Sequence, residues 1–103
     1  MKPATTFTSK LGHNKGNRRV WIEGKRLSAH GFHVGARYNR HVHLGGIINL
    51  ELDPNGSLKV SGKGDHPIID MTGKWVAQTL GDTTNSVRVR YLPGSITINP
   101  ASE

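Results

Sequence analysis

Val20-Trp21-Ile22-Glu23-Gly24-Lys25-Arg26-Leu27 and Ile69-Asp70-Met71-Thr72-Gly73-Lys74-Trp75-Val76 are two lines of one pattern, 49 residues apart. Each opens with apolar residues at alternate positions, breaks at a Gly-Lys pair and resumes at an apolar residue. Period-two alternation marks a half-buried strand, and the glycine stops it. The same shift, taken without a gap, sets Tyr38 on Val87, Val42 on Tyr91, Gly45 on Gly94 and Ile47 on Ile96. Identities are few, and it is the agreement of pattern, turn and order that argues for an internal duplication. A strand, a short helix and a hairpin cannot bury an apolar face alone. Two such units are therefore expected to close over one shared core, filled by Phe32, Tyr38, Tyr91, Trp75, Ile22, Ile69, Val42, Ile47 and Ile96.

Outward from these two lines the units read in parallel. Val20 and Ile22 share one face of a strand over 19–23. Lys25 to His30 predicts about one and a half helical turns, with Gly31 where a helix C-terminal glycine belongs. After the turn Phe32-His33-Val34-Gly35, residues 37–44 alternate, with Tyr38, Val42 and Leu44 on one face and Arg37, Asn39, His41 and His43 on the other. Arg40 falls with the apolar set by parity, so a bulge or an exposed edge is expected there. Gly45-Gly46 signals a two-residue hairpin turn, with a strand following from Ile47 to Leu52. Asp53-Pro54-Asn55-Gly56 is a strong turn, and Leu58-Lys59-Val60 a short return strand. In the second half, strand 68–71, helix 73–80, strand 87–91, turn 92–95 and strand 96–98 repeat the order. Residues 1–17 show no periodicity and read as a flexible basic arm. The expected division is this arm, a first unit over 18–60, a linker over 61–66 and a second unit over 67–100, within one compact domain. The fold class is mainly β with two short helices.

Composition narrows the functions. The 103 residues include no cysteine, so disulfide and thiolate chemistry are excluded. The N-terminal residues show no apolar signal segment, and no apolar run reaches the ~20 residues needed to cross a bilayer. The expectation is a cytoplasmic protein without a membrane partner. The net charge is +7 and unevenly spread. Residues 1–50 hold nine Lys and Arg against Glu23 alone, whereas residues 51–103 hold five against six carboxylates. Such asymmetry points the first half at an anionic partner, most often nucleic acid. Arg18, Arg19, Lys25, Arg26, Arg37 and Arg40 are its candidate contacts, since guanidinium groups suit bidentate binding of phosphate or guanine. His41 and His43 lie on the same strand face. Arg88 and Arg90, sharing a face of the second unit, would extend the basic surface, with the first unit as the main binder.

His41 and His43 point the same way and would reach one metal ion, but no carboxylate or cysteine lies near in sequence to complete the site. No cofactor is implied. No nucleophile elbow, phosphate-binding loop or zinc-protease motif is present. No catalytic residue is assigned, and the chain is not read as an enzyme.

Val20-x-Ile22-x-Gly24-x-Arg26-Leu27-x-x-x-Gly31-Phe32-x-x-Gly35, followed by an alternating strand and a Gly-Gly turn, resembles the SymE-type toxins of the AbrB/MazE superfamily. The likeness covers residues 19–50 well and 67–99 loosely. Where that family typically has tryptophan before the leucine, the first unit has Arg26 and the second has Trp75. The second unit has Leu80-Gly81-Asp82 in place of the Gly-Phe-x-x-Gly element. The resemblance implies a swapped-hairpin β-barrel made from two tandem β-α-β-β units, acting as a monomeric pseudo-dimer or dimerising further. It implies binding of DNA in preference to RNA, as a regulator or a toxin-like nucleoid binder of toxin–antitoxin type. Two other readings remain open: a small phage or plasmid protein that blocks a host defence complex by protein–protein contact, anti-CRISPR-like, and a ribonuclease toxin. For the protein-binding reading Glu51, Asp53, Asp65, Asp70 and Asp82 are the added contacts.

Overall fold

The computed structural model describes residues 5–14, 16–43, 45–81 and 83–101, without the side chains of His13 and Asn14. Among the described residues there are ten strands and two short helices. In chain order they are β1 (Thr5–Lys10), β2 (Gly12–Asn14), β3 (Asn17–Glu23), α1 (Lys25–Ala29), β4 (Arg37–His43), β5 (Ile47–Leu52), β6 (Leu58–Lys59), β7 (Ser61–Lys63), β8 (His66–Thr72), α2 (Lys74–Leu80), β9 (Ser86–Leu92) and β10 (Ser95–Pro100). They form two open antiparallel sheets. The larger has the order β1-β9-β10-β5-β4-β6, the smaller β2-β3-β8-β7. The fold is mainly β with two short helices, and the sheets do not close into a barrel.

The spacing of 49 runs farther toward the N-terminus than the apolar pattern alone reveals. β3, α1 and β4 begin at 17, 25 and 37, and β8, α2 and β9 at 66, 74 and 86. β2 and β7 obey the same shift, as do the last two residues of β1 and the whole of β6. The backbone hydrogen bonds repeat with it. The Leu11 N–H donates to the Asn85 carbonyl at 3.0 Å, and the Val60 N–H to that of Ala36 at 2.9 Å. The Gly24 N–H donates to the Pro67 carbonyl, and its counterpart Gly73 to that of Arg18. Both glycines hold positive φ, 92° and 150°, where a side chain would be strained. Trp21 lies opposite its own counterpart Asp70 in the β3–β8 ladder, flanked by Val20–Met71 and Ile22–Ile69. Both sheet orders read the same from either end once counterpart strands are exchanged. The pairing is thus that of a pseudo-twofold, with the first strand of each half laid on the hairpin of the other: β1 on β9, β6 on β4.

Three expectations are corrected. Residues 5–14 are strands β1 and β2, not a flexible arm, because their backbone groups complete the edges of β9 and β3. The linker over 61–66 is instead the β7–β8 hairpin, with Lys63 opposite His66. The ungapped alignment fails by one residue at the hairpins. His43 pairs with Ile47 across residues 44–46, whereas Leu92 pairs with Ser95 across Pro93-Gly94. Beyond that turn the shift is 48. Buried Ile48 and Leu50 then match buried Ile96 and Ile98, and Ile47 matches Ser95. A one-residue slip reverses a strand's faces, so Ile47 points outward and is 39% exposed rather than in the core. Leu44 and Asp82 lie outside the described residues.

The core lies between the sheets. Leu27 of α1, Val76 and Leu80 of α2, Phe32, Ile48, Leu50, Ile96 and Ile98 are at most 3% exposed, with Val20, Ile22, Ile69, Met71, Val87, Val89, Tyr38 and Tyr91 around them. Leu11 and Val60, counterparts at the bends β1–β2 and β6–β7, are also buried and seal two corners. Trp75 is only partly buried against this cluster. Val42, expected inside, is 49% exposed.

Candidate functional site

Strand alternation divides each sheet into a core face and an outer face, and the helices pack on the core side. In the six-stranded sheet, Val87, Val89 and Tyr91 face inward, so Arg88 and Arg90 face outward. Across the ladders they meet Thr8 and Thr6 of β1 and Asn99 and Thr97 of β10. Lys10 lies opposite Ser86 on the same face. Asn49 of β5 sits at the centre, its amide donating to the Ser95 hydroxyl and the Ile96 carbonyl and within 3.3 Å of the Thr97 hydroxyl. Beyond it β4 presents Arg37, Asn39, His41 and His43, and β6 presents Lys59 opposite Arg37. Lys10, Arg37, His41, His43, Lys59, Arg88 and Arg90 are all exposed.

The charges on this face are graded. Near β4 and β6, Glu51 lies opposite Asn39, and Asp53 accepts from the Asn39 amide at 2.9 Å. Two carboxylates thus stand beside Arg37 and Lys59, and Arg37 also donates to the Gly56 carbonyl at 3.2 Å. Near β1 and β9, the ladder neighbours of Lys10, Arg88 and Arg90 are Ser, Thr and Asn without a carboxylate among them. β9 and β4 are three strand spacings apart, roughly 14 Å. The most cationic ground is therefore built from the second half and from β1.

The other arginines of the first half are occupied elsewhere. Arg19 stands on the outer face of the four-stranded sheet, donates through Nε and Nη2 to both Asp70 oxygens at 2.9 and 3.0 Å, and stacks over Trp21 at 4.3 Å. The Arg19 hydrogen bonds, aided by the Thr72 hydroxyl and opposed by partial burial, hold the Asp70 carboxyl below its ordinary range, and the same pair raises Arg19. On that face Glu23 is also held low, first by the Trp21 indole N–H and then by His66. Arg26 stacks over Phe7 at 3.3 Å. Arg40 has the core-side parity expected for it, and of the two alternatives it takes the exposed edge, since β4 runs without a bulge and β6 stops at Tyr38. Its guanidinium leaves the core edge to stack on Trp75 of α2 at 4.3 Å. Arg18 is half-buried at the end of the core-facing row of β3, beside Lys74, Ala77 and Gln78 of α2. Lys25 is exposed on α1.

Of the ten candidate residues, then, Arg37, His41, His43, Arg88 and Arg90 share one surface. Arg18, Arg19, Lys25, Arg26 and Arg40 are dispersed over other parts of the molecule. The reading from sequence missed Lys10, Lys59 and the Thr/Asn/Ser carpet between the arginines. The alternation Thr5-Thr6-Phe7-Thr8-Ser9-Lys10 was the available signal, muted because its inward residues include just one large apolar side chain. Among the described residues, no three His, Asp or Glu side chains converge as a metal site, and no helix is long and apolar enough to cross a membrane. Neither protein-family models, nor curated proteins, nor solved structures yield a match to this chain.

Proposed function

We propose that this protein binds nucleic acid, DNA in preference to RNA, on the outer face of the six-stranded sheet. The observation that carries the reading is the uncovered, polar, cationic field of Lys10, Arg88 and Arg90 among Thr6, Thr8, Thr97 and Asn99. Arginines supply bidentate contacts to phosphate or guanine, and short hydroxyl and amide side chains donate to phosphate oxygens without blocking approach. Asn39 and His41 lie across the pseudo-twofold axis from Arg88 and Arg90, so a strand of phosphates crossing the sheet meets donors at both ends. The tandem units, each laying its first strand on the other's hairpin, support a distant relation to the swapped-hairpin AbrB/SymE architecture, here opened into two sheets. A regulator or a toxin-like nucleoid binder fits this surface, acting by occupancy rather than by bond cleavage.

The test is fluorescence anisotropy with a labelled 20-base-pair duplex and its single strand at two salt concentrations. The expected result is tighter binding to the duplex, with affinity falling by about 0.9 log unit per log unit of salt for each phosphate neutralised. Arg88→Ala with Arg90→Ala is expected to remove most of it. Equal binding by the double variant would overturn the assignment.

A further inference from the structure

The pseudo-twofold leaves one place unfilled. On one side of the molecule β1 covers the edge of β9 over six residues, from Thr5 opposite Tyr91 to Lys10 opposite Ser86. On the other side β6 covers the corresponding edge of β4 over two, Leu58 opposite Tyr38 and Lys59 opposite Arg37. The counterparts of Thr5 to Thr8 are residues 54–57, and there the chain turns away through Asp53-Pro54-Asn55-Gly56. The Gly56 N–H closes that turn on the Asp53 carbonyl, and the Ser57 N–H is spent on the Asn39 side chain. Among the described residues, no strand lies against Arg40 to His43 on that side.

The open edge has its own chemistry. The Arg37 carbonyl accepts from the Asp53 N–H, on the β5 side. Alternation along an antiparallel strand then turns the N–H and C=O of Arg40 and Val42 to the open side. The side chains repeat the asymmetry. Phe7 of β1 packs edge-on against Tyr91 at 6.0 Å and lies under Arg26. The counterparts of Tyr91 and Arg26 are Val42 and Trp75. Tyr91 is 3% exposed, whereas Val42 is 49% exposed and Trp75, partly buried against the core, has Arg40 stacked on it. Val42 is thus exposed because Gly56, the counterpart of Phe7, brings no side chain and turns away from the edge. Arg40, His41 and His43 line the edge, while Glu51 and Asp53 sit at its Asn39 end.

We infer that the β4 edge at Arg40–His43 is a docking site for an extended, acidic segment of another protein, added antiparallel as β1 is added to β9. Its inward residue, opposite Arg40, is large and apolar and packs on Val42 and Trp75 as Phe7 packs on Tyr91. Its outward residues, opposite His41 and His43, are acidic. Strand addition gains main-chain hydrogen bonds, and alternate side chains set the choice of partner. A second copy paired through its own β4 would set Arg40, His41 and His43 against like residues, which disfavours it. This site is built on a strand edge, shares His41 and His43 with the sheet face, and does not depend on the nucleic-acid reading.

The probe is the capped peptide Glu-Thr-Glu-Phe-Thr, titrated into the full-length protein while amide hydrogen exchange is followed by NMR. The Arg40 and Val42 N–H groups are expected to exchange about tenfold more slowly at peptide concentrations ~10 times Kd, with other edge amides unchanged. Lys-Thr-Lys-Phe-Thr is expected to give no protection. Val42→Pro removes an open-side donor that no β5 bond uses, and is expected to abolish the effect without altering exchange in β9 and β10. His41→Ala is expected to weaken protection by the acidic peptide. Absence of protection with the acidic peptide, or equal protection with the lysine peptide, would overturn the proposal. So would Arg40 and Val42 protection that rises with protein concentration alone.

Discussion

The outer faces of the two sheets are made by the same alternation, yet they differ in how their charges end up. On the four-stranded sheet Arg19 is paired with Asp70, and Glu23 lies within hydrogen-bond distance of His66, both beside Trp21. On the six-stranded sheet Lys10, Arg88 and Arg90 have neutral hydrogen-bonding neighbours and keep their charge available. A count of arginines along the chain ranks the first half as the binder. Pairing reverses the rank, because an arginine held by a carboxylate must lose that partner before it can take a phosphate. The difference between the faces is one of neighbours across strands, which no linear count contains.

The most severe way to break the comparison is to remove what both faces stand on. Phe32→Ala, at a fully buried site, is expected to cost about 3–5 kcal/mol. Urea unfolding followed separately by Trp fluorescence and by far-UV circular dichroism should give one shared transition, because ladders between the halves run through both sheets. Two separated transitions would mean that the halves fold independently.

Next in size, Arg88→Ala with Arg90→Ala is expected to weaken duplex binding by roughly 10- to 100-fold, reading each lost charged contact at about 1 kcal/mol or a little more. Arg19→Ala, which removes one charge from the other face, is expected to alter binding by less than threefold. Anisotropy at matched salt compares the two directly, and equal losses would dissolve the distinction between the faces.

A subtler experiment converts one face toward the other. Asp70→Asn leaves Arg19 without its carboxylate, so the four-stranded face gains a free cation. The expected outcome is a modest gain in low-salt binding and a salt slope steeper by up to about 0.9. An unchanged slope would show that exposure of an arginine is insufficient without the Thr/Asn surroundings of β1 and β10.

The smallest effect is in pH. Asp70 and Glu23 both have folded-state values below their ordinary ones. Their stabilising contribution is therefore complete above the unfolded carboxylate range near ~4 and is lost as pH falls through the lower folded values. Thermal melts should be flat in this contribution from neutral pH to about 5 and decline below ~4. The Asp70→Asn variant should decline less, while a decline of the same size would assign the acid sensitivity elsewhere.

Much of the architecture was legible because it rests on short-range rules. Val20 and Ile22, then Ile69 and Met71, alternate in step, and Gly24 and Gly73 hold positions where positive φ is required. Val87 to Tyr91 alternates strictly, and β9 follows it. Residues 5–14 were not legible, because Thr and Ser carry little hydrophobic signal and β1 becomes a strand only by taking the edge of β9, nearly eighty residues away. The extra residue in the β4–β5 turn was hidden for a related reason. Gly45 aligns as well with Gly94 as Gly46 does, and only the ladder shows which register buries Ile48 rather than Ile47.

The sequence by itself determined both helices, the strands other than β1, β2 and β7, their duplicated order and the core side of β3, β8 and β9, since these follow from local backbone preference and from apolar periodicity. The tertiary structure alone decided which arginines remain available, that β1 lies on the opposite half, and that the edge at Arg40–His43 stays open. Those outcomes depend on which residues meet across ladders closed between distant segments, and pairing energies of that kind are written in the fold rather than in the order of residues.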